Sequence, residues 1–76
     1  MNIRDKLLYM PKVDDVLMEP ATGSYAVVLS LLKSTPTHVK LKWSDIKPPV
    51  ITPIAKLRTR LITDELMLVR KSDEQD

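Results

Sequence analysis

The chain has 76 residues and a formal net charge of +2, with 43% hydrophobic and 29% charged residues. These values are near the averages of globular proteins, and the length suffices for one small domain with a limited core. Cysteine is absent, which excludes disulfides and thiolate metal ligands and leads us to expect a cytoplasmic protein.

The N-terminal segment is predicted to form one or two helical turns over residues 2–10. Asn2 is a candidate N-cap, and Ile3, Leu7 and Met10 recur near helical spacing. Pro11 then ends the helix, because proline is not tolerated in a helix interior.

Three strands are predicted in the first half of the chain. Residues 13–18 form the first, and a turn follows in which Gly23 takes a positive φ freely. Residues 24–32 are rich in β-branched and aliphatic side chains and form the second strand. After a turn at 33–37, residues 38–43 alternate strictly between apolar and polar side chains, which predicts a half-buried third strand.

The segment from residue 50 to residue 70 fits two interpretations. Lys56, Arg58 and Arg60 alternate with less polar residues, which favours a strand, then a tight turn at 63–65 and a last strand at 66–70. The alternative is a helix, because Thr52-Pro53 is a good helix start and the apolar residues also recur at helical spacing.

Several short motifs carry a family resemblance. These are the run Lys12 to Val16, the glycine-led run Thr22 to Val28, the run Val39 to Asp45 that contains Trp-Ser-Asp, and the ending Thr63 to Val69. Together they resemble the SH3-like small β-barrels of the KOW and Tudor type. The resemblance implies a mainly β single domain, with a barrel of about five strands at 12–70, an N-terminal flank at 1–11 and an acidic tail at 71–76.

Positive charge is concentrated in the middle of the chain. The stretch 33–60 holds seven of the twelve basic residues and one of the ten acidic ones. If its two alternating strands pair, they place six side chains on one basic face: His38, Lys40, Lys42, Lys56, Arg58 and Arg60. Such a face would bind nucleic acid or an acidic protein surface; the alternative is an ordinary solvated sheet face.

The strand at 24–32 is apolar on both predicted faces. One face carries Tyr25, Val27, Leu29 and Leu31, and the other carries Ala26, Val28, Ser30 and Leu32. A strand buried on both sides needs a cover, which either the N-terminal segment or a partner would supply. Trp43 packs in the core or anchors an interface, so Tyr25, Leu29, Leu31 and Trp43 are the candidate partner contacts.

Nothing in the sequence resembles a catalytic or metal site. There is one histidine, and the adjacent acids of each pair would point to opposite faces of a strand. We therefore expect no enzymatic activity, cofactor, metal, small-molecule substrate or membrane contact. The first hypothesis is a small accessory or regulatory protein on nucleic acid or a nucleoprotein machine. The alternatives are a protein-interaction module or inhibitor, of phage type given its size, and a structural subunit that exists as a homo-oligomer.

Overall fold

The computed structural model describes residues 2–32 and 37–71. The predicted turn at 33–37 falls largely outside them, and so does the acidic tail from residue 72 onward. The elements in chain order are α1 (Ile3–Leu7), β1 (Val16–Glu19), β2 (Ser24–Leu32), β3 (His38–Trp43), β4 (Val50–Pro53), α2 (Ile54–Ile62) and β5 (Met67–Arg70).

The five strands form one antiparallel sheet in the order β4-β3-β2-β1-β5. This confirms the expected mainly β architecture with about five strands and a short N-terminal helix. The described residues form an open sheet and not a closed barrel, because β4 and β5 lie at its two edges.

The boundaries of β2 and β3 coincide with the predicted ones, whereas β1 begins at Val16 and not at residue 13. The reason is a turn before β1, in which Asp15 N–H donates to the Lys12 carbonyl at 3.0 Å and Asp14 adopts a φ of 77°. The turn between β1 and β2 is as expected, with Gly23 at a φ of 78°.

The strand predicted beyond Pro53 is wrong: residues 54–62 are helical. One side of α2 carries the buried residues Ile54, Leu57 and Leu61. A helix directs all three into the core, whereas a strand would direct some of them to the opposite face. α2 ends where Asp64 adopts a left-handed φ of 64°. Within the segment from residue 50 to residue 70, only residues 50–53 pair with β3.

The core lies between α2 and one face of the sheet. Its buried members are Tyr9, Leu17, Ala26, Val28, Val39, Leu41, Ile54, Leu57, Leu61 and Leu66. α1 is capped by Asn2 as expected, but it packs against α2 and buries none of its own residues. Both helices are therefore on the core side of the sheet, and α1 does not cover β2 on the opposite side.

A register shift between Val28 and Ser30 changes the predicted faces of β2. Ala26 and Val28 point into the core, and strict alternation would place Leu31 on the opposite face. Leu31 nevertheless packs against the core. The extra residue in the bulge reverses the alternation. Contrary to the prediction, Tyr25 and Leu31 therefore lie on opposite faces.

A buried polar pair joins the N-terminal segment to the start of β1. The Tyr9 hydroxyl donates to Asp15 Oδ2 at 2.7 Å, and Lys12 N–H donates to the same oxygen at 3.0 Å. Burial, reinforced by the hydrogen bond to Asp15, raises the pKa of Tyr9 far above its usual range. These hydrogen bonds stabilise the turn that immediately precedes β1.

Candidate binding surface on the sheet

We call the side of the sheet opposite α2 the outer face. On β3, Val39 and Leu41 are buried toward α2, so Lys40 and Lys42 point to the outer face. On β1, Leu17 is buried, so Val16 and Met18 are on the outer face as well. The strand pairings show which residues lie beside each other there.

One row across three strands consists of large apolar side chains. Met67 on β5 lies opposite Met18 on β1, which in turn lies opposite Tyr25 on β2. Met67 is 49% exposed and Tyr25 is 47% exposed, while Met18 between them is half-buried. Methionine and tyrosine are side chains that protein interfaces favour.

The next row runs across four strands and has a cation at each end. Arg70 lies opposite Val16, Val16 opposite Val27, and Val27 opposite Lys42. We define the outer apolar patch as the five apolar residues of the two rows, which are Val16, Met18, Tyr25, Val27 and Met67.

Positive charge borders the outer apolar patch without any acidic counterpart on the outer face of the described strands. Lys40 lies beyond Lys42 on β3, opposite Ser30 and Ile51. Glu19, the acidic residue of β1, is paired with the buried Ser24 and binds Arg60 on the core side. Within the described part of the chain, Lys40, Lys42 and Arg70 form no ion pair. The outer face is therefore apolar in the middle and cationic at its margins.

The predicted single basic face is wrong in its geometry, because α2 and β3 are different layers. The outer face carries His38, Lys40 and Lys42 of β3, whereas Lys56 is exposed on the helix. Arg58 Nε donates to the Tyr9 carbonyl at 2.8 Å. Half of the six predicted side chains are thus on the helix that covers the core.

Arg60 is committed to carboxylates of the same chain. It forms an ion pair with Glu19, and its Nε lies 3.4 Å from Glu65 Oε1. Hydrogen bonds donated by Thr22 and by Arg60 hold the pKa of Glu19 below its usual range. A phosphate or a partner's carboxylate would have to displace these contacts before it could reach the guanidinium.

The four predicted interface residues separate into two groups. Tyr25 belongs to the outer apolar patch, and Leu29 is 38% exposed at the bulge in β2. Leu31 and Trp43 are half-buried and pack against the core, so they are not free to anchor a partner on the outer face.

Sequence reasoning missed several members of the candidate surface, which are Val16, Met18, Met67 and Arg70. The alternation of Met18 with the buried Leu17 is a usable signal for its direction. Nothing local shows that Met67 and Met18 are neighbours, because β5 returns to β1 from the far end of the chain.

Grooves are also present among the described residues. One of about 540 Å³ lies beside β5, and its lining includes Leu61, Leu68 and Met67 of the outer apolar patch, together with the Lys6–Asp64 ion pair. A second, of about 250 Å³, is lined by Trp43, Leu57 and Arg60, among others. Over residues 2–32 and 37–71, no group of three or more metal-ligating side chains is found.

Comparison with known proteins gives no relative: no family model matches the chain, and neither a curated protein nor a solved structure matches it. None of the described helices is both long and apolar enough to cross a membrane.

Proposed function

We propose that this chain is a non-enzymatic binding module that docks on a partner protein through the outer apolar patch. The observation that carries the proposal is the row Met67–Met18–Tyr25, which lies on a sheet face that neither described helix covers. An antiparallel sheet exposes one face to water without difficulty, but that face is then usually polar. Here its centre is apolar across three adjacent strands.

The large side chains of the apolar row keep exposed area that an interface could bury. Full burial of a methionine or aromatic side chain contributes about 1.5–3 kcal/mol, so a half-exposed one retains about half of this for an interface. Met67 and Tyr25 are such residues. Clusters of a few large side chains near the centre of an interface carry most of the binding free energy in protein complexes.

The proposal extends to the kind of protein. The meander of β1 to β4 and the return of β5 to β1 support an SH3-like strand order, here in an open sheet, and the absence of cysteine favours a cytoplasmic setting. A small module of this kind would act as an accessory or regulatory protein, because it contributes a surface and no chemistry of its own.

Selection from a displayed random-peptide library tests the proposal. Peptides are selected on wild-type protein and are then tested for binding to Tyr25→Asp, which replaces an exposed apolar side chain with a charge. Leu8→Asp is the matched control, because Leu8 is also apolar and is 66% exposed, but it lies outside the sheet. We expect the selected peptides to bind wild type and Leu8→Asp alike and to lose Tyr25→Asp. Peptides that bind all three proteins equally would reject the outer apolar patch as the docking site.

Nucleic acid remains a second candidate because the half-buried Lys40 and the exposed Lys42 lie together on the outer face, which carries no acid among the described strand residues. Binding to single-stranded DNA or RNA would weaken steeply as salt rises, and Lys40→Glu with Lys42→Glu would abolish it. The matched control is Lys56→Glu, which changes charge equally on α2. If the sheet variant and the helix variant bind oligonucleotides as tightly as wild type, this candidate is excluded.

A further inference from the structure

We propose that the partner segment is an amphipathic α-helix that lies across the strands of the outer face and has carboxylates along one flank. The inference rests on the proposed function and names the partner chemistry that the same surface fits. It is drawn from the spacing of the two rows and from the charges at their ends.

The apolar row has the length of two helical turns. Met67, Met18 and Tyr25 lie on three adjacent strands, so the row spans two strand spacings, or about 10 Å. Apolar residues at positions i, i+4 and i+7 of a helix span about 10.5 Å along its axis. A helix with that pattern places one side chain near each member of the row.

The cations fix the chemistry of the flank. Arg70 and Lys42 end the second row and are three strand spacings apart, or about 14 Å. Carboxylates seven to eleven residues apart on one flank of a helix are separated by about 10–17 Å, which these long side chains can bridge. On β1 and β2 the second row lies two residues farther along the strand, about 7 Å from the first and within the diameter of one helix. On β5, where the register shifts, Arg70 follows Met67 by three residues.

A second copy of this chain fits the surface less well. No described residue of the outer face is acidic, so two outer faces packed together would bring Lys40, Lys42 and Arg70 into an interface without counter-charges. Like charges that meet in an interface are strongly unfavourable. The charge pattern thus favours a partner with carboxylates.

Two designed helical peptides of roughly 18 residues provide the test, since shorter helices are marginal in water. Both have leucines at i, i+4 and i+7. One has glutamates on the flank at i+1 and i+8, and the other has lysines there. Their dissociation constants are measured by fluorescence anisotropy with wild-type protein, with Tyr25→Asp and with the double variant Lys42→Glu/Arg70→Glu.

We expect the glutamate peptide to bind wild type at least tenfold more tightly than the lysine peptide. The double variant should reverse this preference, and Tyr25→Asp should weaken both peptides. Lys42 and Arg70 are exposed, so their replacement is compatible with folding, and circular dichroism of each variant verifies it.

Equal affinity for the two peptides, or a preference that survives the double variant, would overturn the inference. So would a concentration-dependent dimer that is lost in Tyr25→Asp, or an oligonucleotide that displaces the glutamate peptide. The proposed function fails separately: it falls if library selection yields no binder that depends on Tyr25. If such binders are selected but are neither acidic nor helical, the function stands and only the helix assignment falls.

Discussion

Replacement of Tyr9 by phenylalanine is the sharpest test of how the sheet is anchored. Tyr9 is buried, and its hydroxyl donates to Asp15 Oδ2 at 2.7 Å. Asp15 itself is 2% exposed and starts the segment that becomes β1. Tyr9→Phe keeps the ring in the core and removes only the donor, so a buried carboxylate loses one of its hydrogen bonds.

The expected loss of stability follows from the type of bond. A hydrogen bond to a charged group contributes about 1.5–3 kcal/mol, and a buried acceptor left without its donor adds a desolvation penalty. We expect Tyr9→Phe to lower the free energy of unfolding by about 2 kcal/mol. For a domain of this size, that corresponds to a fall of roughly 10 °C in Tm.

Tyr9→Phe also changes how the free energy of unfolding depends on pH in the alkaline range. Because burial raises the pKa of folded Tyr9 above its usual value of 10.0, the unfolded chain loses the phenol proton first. The stability linked to this proton is complete below pH 10.0 and is lost above it, by about 1.4 kcal/mol per pH unit. Tyr9→Phe should remove that slope.

Urea unfolding followed by far-ultraviolet circular dichroism, at neutral pH and above pH 10.0, measures both effects. Tyr25→Phe is the matched control, since it removes a phenol oxygen from a half-exposed ring on the outer face and should change stability little. Equal effects of the two substitutions at neutral pH would refute the reasoning, as would an alkaline slope that persists in Tyr9→Phe.

Three further predictions concern local features. Gly23→Ala should destabilise the protein by about 1 kcal/mol and Gly23→Asn by less, because Gly23 has a φ of 78°. An added Cβ would contact nothing within 4 Å, so urea titration of these variants measures the backbone strain without a steric clash. Leu57→Ala should reduce the free energy of unfolding by about 2–5 kcal/mol in the same assay, because Leu57 is fully buried. Lys56→Ala, on the exposed side of α2, should reduce it by less than about 0.5 kcal/mol, and equal effects would contradict the helix orientation. Glu19 contributes stability above its usual pKa of 4.5 that is lost as pH falls toward its lower folded value, so Glu19→Gln should flatten the acid limb of the stability profile.

The strands could be predicted where turn signals bound them on both sides. β2 lies between Gly23 and a sequence whose proline predicts a turn, and β3 alternates without exception, so both ranges follow from local preferences. α2 could not be assigned in this way. The alternation of Lys56, Arg58 and Arg60 competes with the helical spacing of the leucines, and the burial of those leucines against the sheet decides between them.

The candidate surface depends on contacts between distant parts of the chain. Exposure of Tyr25 was foreseen as one alternative, but its row with Met18 and Met67 requires the return of β5 to β1. The bulge after Val28 likewise has no local signal, and it is what sends Leu31 into the core. Pairing register is a tertiary property, so the sequence alone could not assemble the rows.

Backbone-amide chemical-shift mapping with a peptide selected on the wild-type protein tests the central claim most directly. The account predicts that the largest shifts fall on Met18, Tyr25, Val27 and Met67, which belong to three adjacent strands. Shifts confined to α1 and α2 would contradict it, because both helices lie on the core side of the sheet.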